Sequence, residues 1–117
     1  MESNLFVYGS LRPGEEAEKL LGDYQVLEKN KNIIGYRMFV LENYPIAVPD
    51  PQGSIWGDVL KVNDKVFPNL DKYEETEKNI YLRLFDETYQ FFIYYFLGQI
   101  DSTLAEIPGG DWKMRNF

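Results

Sequence analysis

The two side chains that most often do chemistry near neutral pH are missing: the chain has no cysteine and no histidine. Their absence excludes a Ser-His-Asp triad, a thiolate nucleophile, disulfides, and metal sites built on thiolate or imidazole. Any proton transfer falls to a carboxylate, a lysine, a tyrosine or water. No apolar run is long enough to span a bilayer, and the opening Met1-Glu2-Ser3-Asn4 lacks the basic and apolar regions of a signal peptide. Both absences predict a cytoplasmic protein without a membrane partner. Basic residues are few, with 12 Lys and Arg against 19 Asp and Glu, and the resulting net charge of -7 disfavours nucleic acid as a partner.

What is present is aromatic. Phe 8, Tyr 9 and Trp 2 in 117 residues favour a β-dominated core, and the length suits a single domain over residues 1–117. The stretch Leu5-Phe6-Val7-Tyr8-Gly9-Ser10-Leu11-Arg12-Pro13-Gly14 organises the rest. An alternating apolar strand stops there at Gly-Ser, and Gly9 lets the backbone turn with its amides exposed, a geometry that suits an anion.

A short helix is predicted over residues 15–21, closed by Gly22. Strands follow over 24–29 and 33–41, either side of the turn Asn30-Lys31-Asn32, with Gly35 marking a bulge or close backbone approach. The prolines of residues 43–51 predict an edge or loop crossing rather than a central strand. Residues 54–62 alternate as a strand, and 66–75 read as a helix whose regular part begins near Pro68. Residues 80–85 and 89–97 form a hairpin about Asp86-Glu87-Thr88. About six strands and one or two short helices, with many strands consecutive, predict an α+β fold: a small mixed, mainly antiparallel β-barrel with flanking short helices.

One carboxylate in this pattern stands out. At roughly 100° per residue, Phe67, Leu70 and Tyr73 share a helix face, and Glu74 projects from the edge of that stripe while Glu75 points the opposite way. A carboxyl held among apolar and aromatic groups is harder to ionise, which moves it toward the range of a general acid/base. Two further possibilities stand beside this one. Glu74 swings into solvent or pairs with Lys78 or Arg83; or it joins Asp71, Glu75 and Glu77 around Mg²⁺ or Ca²⁺, although these acids lack calcium-loop spacing and fan around the helix.

Together these stretches resemble the γ-glutamylcyclotransferase-like family, which includes γ-glutamylamine cyclotransferases and plant avirulence-induced relatives. Residues 5–14 resemble its signature. Tyr44-Pro45-Ile46-Ala47-Val48, Trp56-Gly57-Asp58-Val59-Leu60-Lys61-Val62, Leu70-Asp71-Lys72-Tyr73-Glu74 and Tyr81-Leu82-Arg83 follow in the family's order. The resemblance implies that the loop Tyr8, Gly9, Ser10 and Leu11 binds the α-carboxylate end of a γ-glutamyl group and that Glu74 is the catalytic acid/base. The implied reaction is intramolecular aminolysis, in which the glutamyl α-amine attacks its own γ-carbonyl, closes a lactam and expels an amine, leaving 5-oxoproline. It requires no metal or cofactor, and the implied partner is a small γ-glutamyl molecule.

Tyr94 or Tyr95 supplies a further hydroxyl; strand alternation lets only one of them face the pocket, and Tyr95 joins Tyr8, Gly9, Ser10 and Leu11 in the predicted substrate-contact set. The chain departs from the family at Glu75, where many relatives carry Gly, and at Pro68 inside the helix. It also lacks the long insertions of larger members, which points away from the branches specific for γ-glutamyl amino acids and glutathione. The alternative on the same fold is a non-catalytic module that binds a small ligand or a protein.

Overall fold

The computed structural model describes residues 1–15, 17–41, 44–74, 81–96, 98 and 104–112. Its strands are β1 (Glu2–Val7), β2 (Tyr24–Leu41), β3 (Tyr44–Asn63), β4 (Tyr81–Asp86), β5 (Phe91–Phe96) and β6 (Ala105–Glu106). All six belong to one sheet of order β4-β5-β1-β3-β2-β6, curled into a half-barrel. The β1–β5 pair is parallel and the other pairs are antiparallel. The mixed, mainly antiparallel α+β fold expected from the order of strands is the fold observed.

β1 lies inside the sheet because both its faces are apolar. Leu5 and Val7 pack with Leu60, Val62, Leu70 and Tyr94 on one side, while Phe6 and Tyr8 pack with Ile33, Tyr36, Val59 and Phe91 on the other. The first side is covered by one short α-helix, α1 (Phe67–Tyr73), which contributes Phe67 and Leu70, and by a 3-10 turn at Glu18–Leu21, which contributes Leu21. Pro68 fits because it stands in the first turn of α1, where its missing N–H has no intrahelical partner to lose.

Three sequence expectations are corrected. The helix over 15–21 is only the 3-10 turn Glu18–Leu21, because the preceding backbone is committed to the loop: Glu15 N donates to Arg12 O at 2.9 Å and Ala17 N to Ser10 O at 2.9 Å. Glu16 lies outside the described residues. The two strands over 24–29 and 33–41 are one long strand, β2, since Lys31 and Asn32 pair with Gly57 and Trp56 of β3. The polar turn survives as a bulge around Asn30, which adopts φ 54. Gly35, at φ 106, sits at the bulge its position suggested. The proline segment is the first half of β3 rather than a loop, and it pairs only with β2, through Tyr36↔Pro49 and Val40↔Pro45, while β1 takes residues 58–63. It is thus locally an edge, where proline's missing donor is tolerated.

The β4–β5 hairpin turns at residues 87–90 rather than 86–88, with Asp86 Oδ1 accepting from Thr88 N at 2.9 Å and Tyr89 N at 3.1 Å. Ile80 and Leu97, assigned to these strands from the sequence, lie outside the described residues. β6, in the tail, was not foreseen; it adds to β2 through Phe39↔Glu106.

Arg12 holds the loop after β1 in place from within. Its side chain is fully buried, 0% exposed. Nε donates to Asp58 Oδ2 at 3.1 Å, Nη2 to Asn30 Oδ1 at 3.0 Å and Asp58 Oδ1 at 3.3 Å, and Nη1 to Asp111 Oδ1 at 2.9 Å. One cation thereby ties the loop to β3, to the β2 bulge and to the segment after β6. Removing one partner of a buried pair strands the other charge. Arg12→Met is therefore expected to lower unfolding free energy by about 3–5 kcal/mol in urea denaturation at pH 7. A loss under about 1 kcal/mol, the size of a surface ion pair, would contradict this role.

Candidate active site

Where β1 ends, the chain turns over a cavity of about 700 Å³, well within the range of small-molecule sites. The wall on the β1 side is Tyr8, Gly9, Ser10 and Leu11; Tyr73 and Glu74 come from the end of α1, Tyr81 from β4 and Tyr94 from β5. Ala17, Lys19 and Leu20 close one side, and Leu41, Tyr44 and Pro45 another. Gly9 is required by a close approach rather than by a left-handed backbone: a Cβ there would meet Pro45 Cγ at 2.6 Å.

The hydroxyls around the cavity brace one another. Tyr8 Oη donates to the Tyr94 carbonyl at 2.5 Å, pinning the end of β1 to β5. Ser10 Oγ and Tyr73 Oη share a hydrogen bond of 2.6 Å, which links the loop to α1. Tyr94 Oη donates to Asp71 Oδ1 at 2.5 Å, and Arg83 Nη2 lies 3.5 Å from Asp71 Oδ2. Burial is the main reason the Tyr8 and Tyr94 phenols stay protonated far above the usual range, helped at Tyr94 by the bond to Asp71. The amides of Gly9, Ser10 and Leu11, by contrast, meet no acceptor among the described residues.

Glu74 caps α1, its N–H bonded to Leu70 O at 2.9 Å and its side chain turned to the cavity. No described residue hydrogen-bonds or pairs with its carboxylate, and Arg83, an ion-pair partner its position allowed, stands instead beside Asp71. Burial without a compensating donor pushes its carboxyl up to about 8. Lys78 as an ion-pair partner, Glu75 and Glu77 as co-ligands of a divalent cation, and the departure from the family at position 75 all lie outside the described residues.

Of the residues predicted from the sequence, Tyr8, Gly9, Ser10, Leu11 and Glu74 line this one cavity. Tyr95 does not. On β5, Phe92 and Tyr94 face the α1 side while Phe91 and Ile93 face the opposite core, and alternation sends Tyr95 with the latter. Tyr94 is the tyrosine of that pair on the cavity wall. Sequence reasoning missed Tyr44 and Tyr81 as lining residues, and it placed Tyr73 on the helix's apolar face without foreseeing its bond to Ser10. Tyr44 is placed by the β2–β3 pairing Leu41↔Tyr44 and Tyr81 by the β4–β5 pairing Tyr81↔Phe96, neither of which local sequence reveals.

The family model described as "Gamma-glutamyl cyclotransferase, AIG2-like" matches residues 5–114. No curated protein matches the chain. Among solved structures, the protein ytfP of Escherichia coli is 29% identical with a TM-score of 0.71, the alignment covering 93% of this chain and 95% of that one. An AIG2-like protein of Mus musculus is 18% identical with a TM-score of 0.65, covering 80% and 76%. A structure titled "Gamma-glutamyl cyclotransferase" is 12% identical with a TM-score of 0.67, covering 92% and 73%. At these last two identities the likeness is one of fold.

The raised Glu74 carboxyl makes stability depend on pH in a fixed direction. Folded, it titrates at about 8 instead of the usual 4.5, so the stabilisation of its protonated form is complete below the lower value and is lost as pH rises to the higher. Glu74→Gln stays neutral throughout. The difference in thermal midpoint between variant and wild type is expected to grow in the variant's favour from pH 5 to pH 8.5; a gap that stays constant or grows in favour of the wild type would contradict a buried carboxyl at this position.

Proposed function

Because the chain belongs to the γ-glutamyl cyclotransferase, AIG2-like family, we propose that it releases 5-oxoproline from a small γ-glutamyl amide, with Glu74 as the general acid/base. The observation that carries this reading is a buried carboxyl, pushed up to about 8, lining the same cavity as a loop whose amides meet no acceptor among the described residues.

The chemistry asks for such a group. The α-amine of a γ-glutamyl compound is mostly an ammonium, which titrates at roughly 8 or above. A carboxylate of ordinary pKa is too weak to take its proton, whereas one raised to about 8 does so with little energetic cost. The freed amine attacks the γ-carbonyl carbon, forming the lactam C–N bond. As the tetrahedral intermediate collapses, the Glu74 carboxyl gives its proton to the departing nitrogen and the old C–N bond breaks; the ring nitrogen's extra proton then passes to the released amine, leaving a neutral lactam and an ammonium. The amides of Gly9, Ser10 and Leu11 are suited to hold the α-carboxylate, which leaves the amine and the γ-carbonyl folded toward each other. That orientation supplies a large part of the acceleration in a ring closure.

The cavity has room beyond a glutamyl group, and Tyr44, Tyr73 and Tyr81 give it an aromatic wall for a leaving amine. A panel of γ-glutamyl amides incubated with the purified protein is expected to yield 5-oxoproline by mass spectrometry, with kcat/KM rising from pH 6 toward pH 8 as Glu74 ionises. Glu74→Gln is expected to reduce turnover by at least ~100-fold. Ligand-induced stabilisation by the panel with no product would instead favour a binding module, and full activity in the variant would take Glu74 out of the mechanism.

A further inference from the structure

Among the described residues, six titratable groups besides Glu74 face the cavity: Tyr8 at the end of β1, Lys19 from the 3-10 turn, Tyr44 from β3, Tyr73 from α1, Tyr81 from β4 and Tyr94 from β5. Tyr94 is close enough for the Glu74 charge to bear on its ionisation, yet its hydroxyl proton goes to Asp71 Oδ1 at 2.5 Å. A phenol has one proton to give. Committed to Asp71, that proton is not available to Glu74. Asp71 is held in turn by Arg83, with Nη2 at 3.5 Å from Oδ2 and the guanidinium lying 4.2 Å over the Phe67 ring. Asp71 and Glu74 are three residues apart on α1 and its cap, hence on neighbouring positions of one helix face.

We propose that Asp71 is a positioning residue for Glu74: by holding the Tyr94 hydroxyl proton, with Arg83 as its counter-charge, it withholds from the Glu74 carboxylate a donor that would stabilise the ionised form. Glu74 is thereby left basic enough to accept a proton from substrate. The functional consequence rests on the acid/base role given to Glu74 above, but the device itself is a matter of proton placement and is measurable without turnover.

The carboxyl ¹³C signal of Glu74, identified by its loss in Glu74→Gln, reports the titration directly. Asp71→Ala frees the Tyr94 hydroxyl, and the midpoint is expected to fall by about one to two pH units, the effect of one hydrogen bond to a charged group. Tyr94→Phe alone is expected to leave the midpoint at its wild-type value, and the double variant Asp71→Ala/Tyr94→Phe to return it there. An unchanged midpoint in Asp71→Ala overturns the proposal. So does a lowered midpoint that persists in the double variant, because the cause is then the lost Asp71 charge. A rise of a unit or more in Tyr94→Phe does the same, since Tyr94 would then have been a donor to Glu74; this arm decides the matter if Asp71→Ala fails to fold. In an active enzyme the acid limb of kcat/KM moves with the midpoint. Absence of turnover in the wild type would fail the proposed function and leave the titration result standing.

Discussion

The buried guanidinium of Arg12 is the interaction on which the site depends. The loop that follows β1 has little regular structure, and its own backbone bonds, such as Arg12 N to Gly9 O at 3.0 Å, only shape the turn. What fixes that turn relative to the sheet is a fork of donors reaching Asp58, Asn30 and Asp111. A buried ion pair adds little stability over well-packed apolar groups, but its bonds are directional and its loss is costly. Position is what the loop needs: Asp58 also accepts from Asn30 N at 2.8 Å, so one carboxylate locks the β2 bulge and the loop together. Gly9 is then pressed against Pro45, and Ser10 reaches Tyr73.

With the loop fixed, the cavity has two contrasting walls. On one, backbone amides lack acceptors among the described residues; on the other, a carboxylate lacks donors among them. Each arrangement is unfavourable in an isolated protein and favourable once a ligand with an anion at one end and an ammonium nearby is bound. The tyrosines between them carry hydroxyls, yet those of Tyr8 and Tyr94 donate to other acceptors, the Tyr94 carbonyl and Asp71. Dipoles that would have relaxed around Glu74 in water are therefore held elsewhere. Under the proposed reaction, such a site holds its proton acceptor ready before substrate arrives.

Much of this was legible in the chain. Periodicity turned Glu74 inward, the alternation of Leu5 to Tyr8 marked a strand apolar on both faces, and Gly35 announced its bulge. The errors have physical causes. Asn30-Lys31-Asn32 has turn chemistry, and a bulge satisfied by Asp58 uses the same chemistry without ending the strand. The prolines at 45 and 49 forbid a central strand but allow a local edge, which the uneven lengths of β1 and β3 create. Tyr94 and Tyr95 differ by one position, so which of them reaches the cavity depends on the β5 register against β1, set by contacts between residues about 90 apart, Leu5↔Phe92 and Phe6↔Ile93. Arg12 stands in a Pro-Gly loop, and its burial follows from Asp58 and Asp111, distant in sequence; no local signal marks it.

The central claim is that the loop at Tyr8–Leu11 and Glu74 grip opposite ends of one small molecule, and a crystal structure with 5-oxoproline bound tests it most directly. The ligand carboxylate is predicted to lie within hydrogen-bonding distance of the Gly9, Ser10 and Leu11 amides, with the lactam nitrogen beside the Glu74 carboxyl. A ligand bound with its carboxylate away from the loop, or outside this cavity, would contradict the claim.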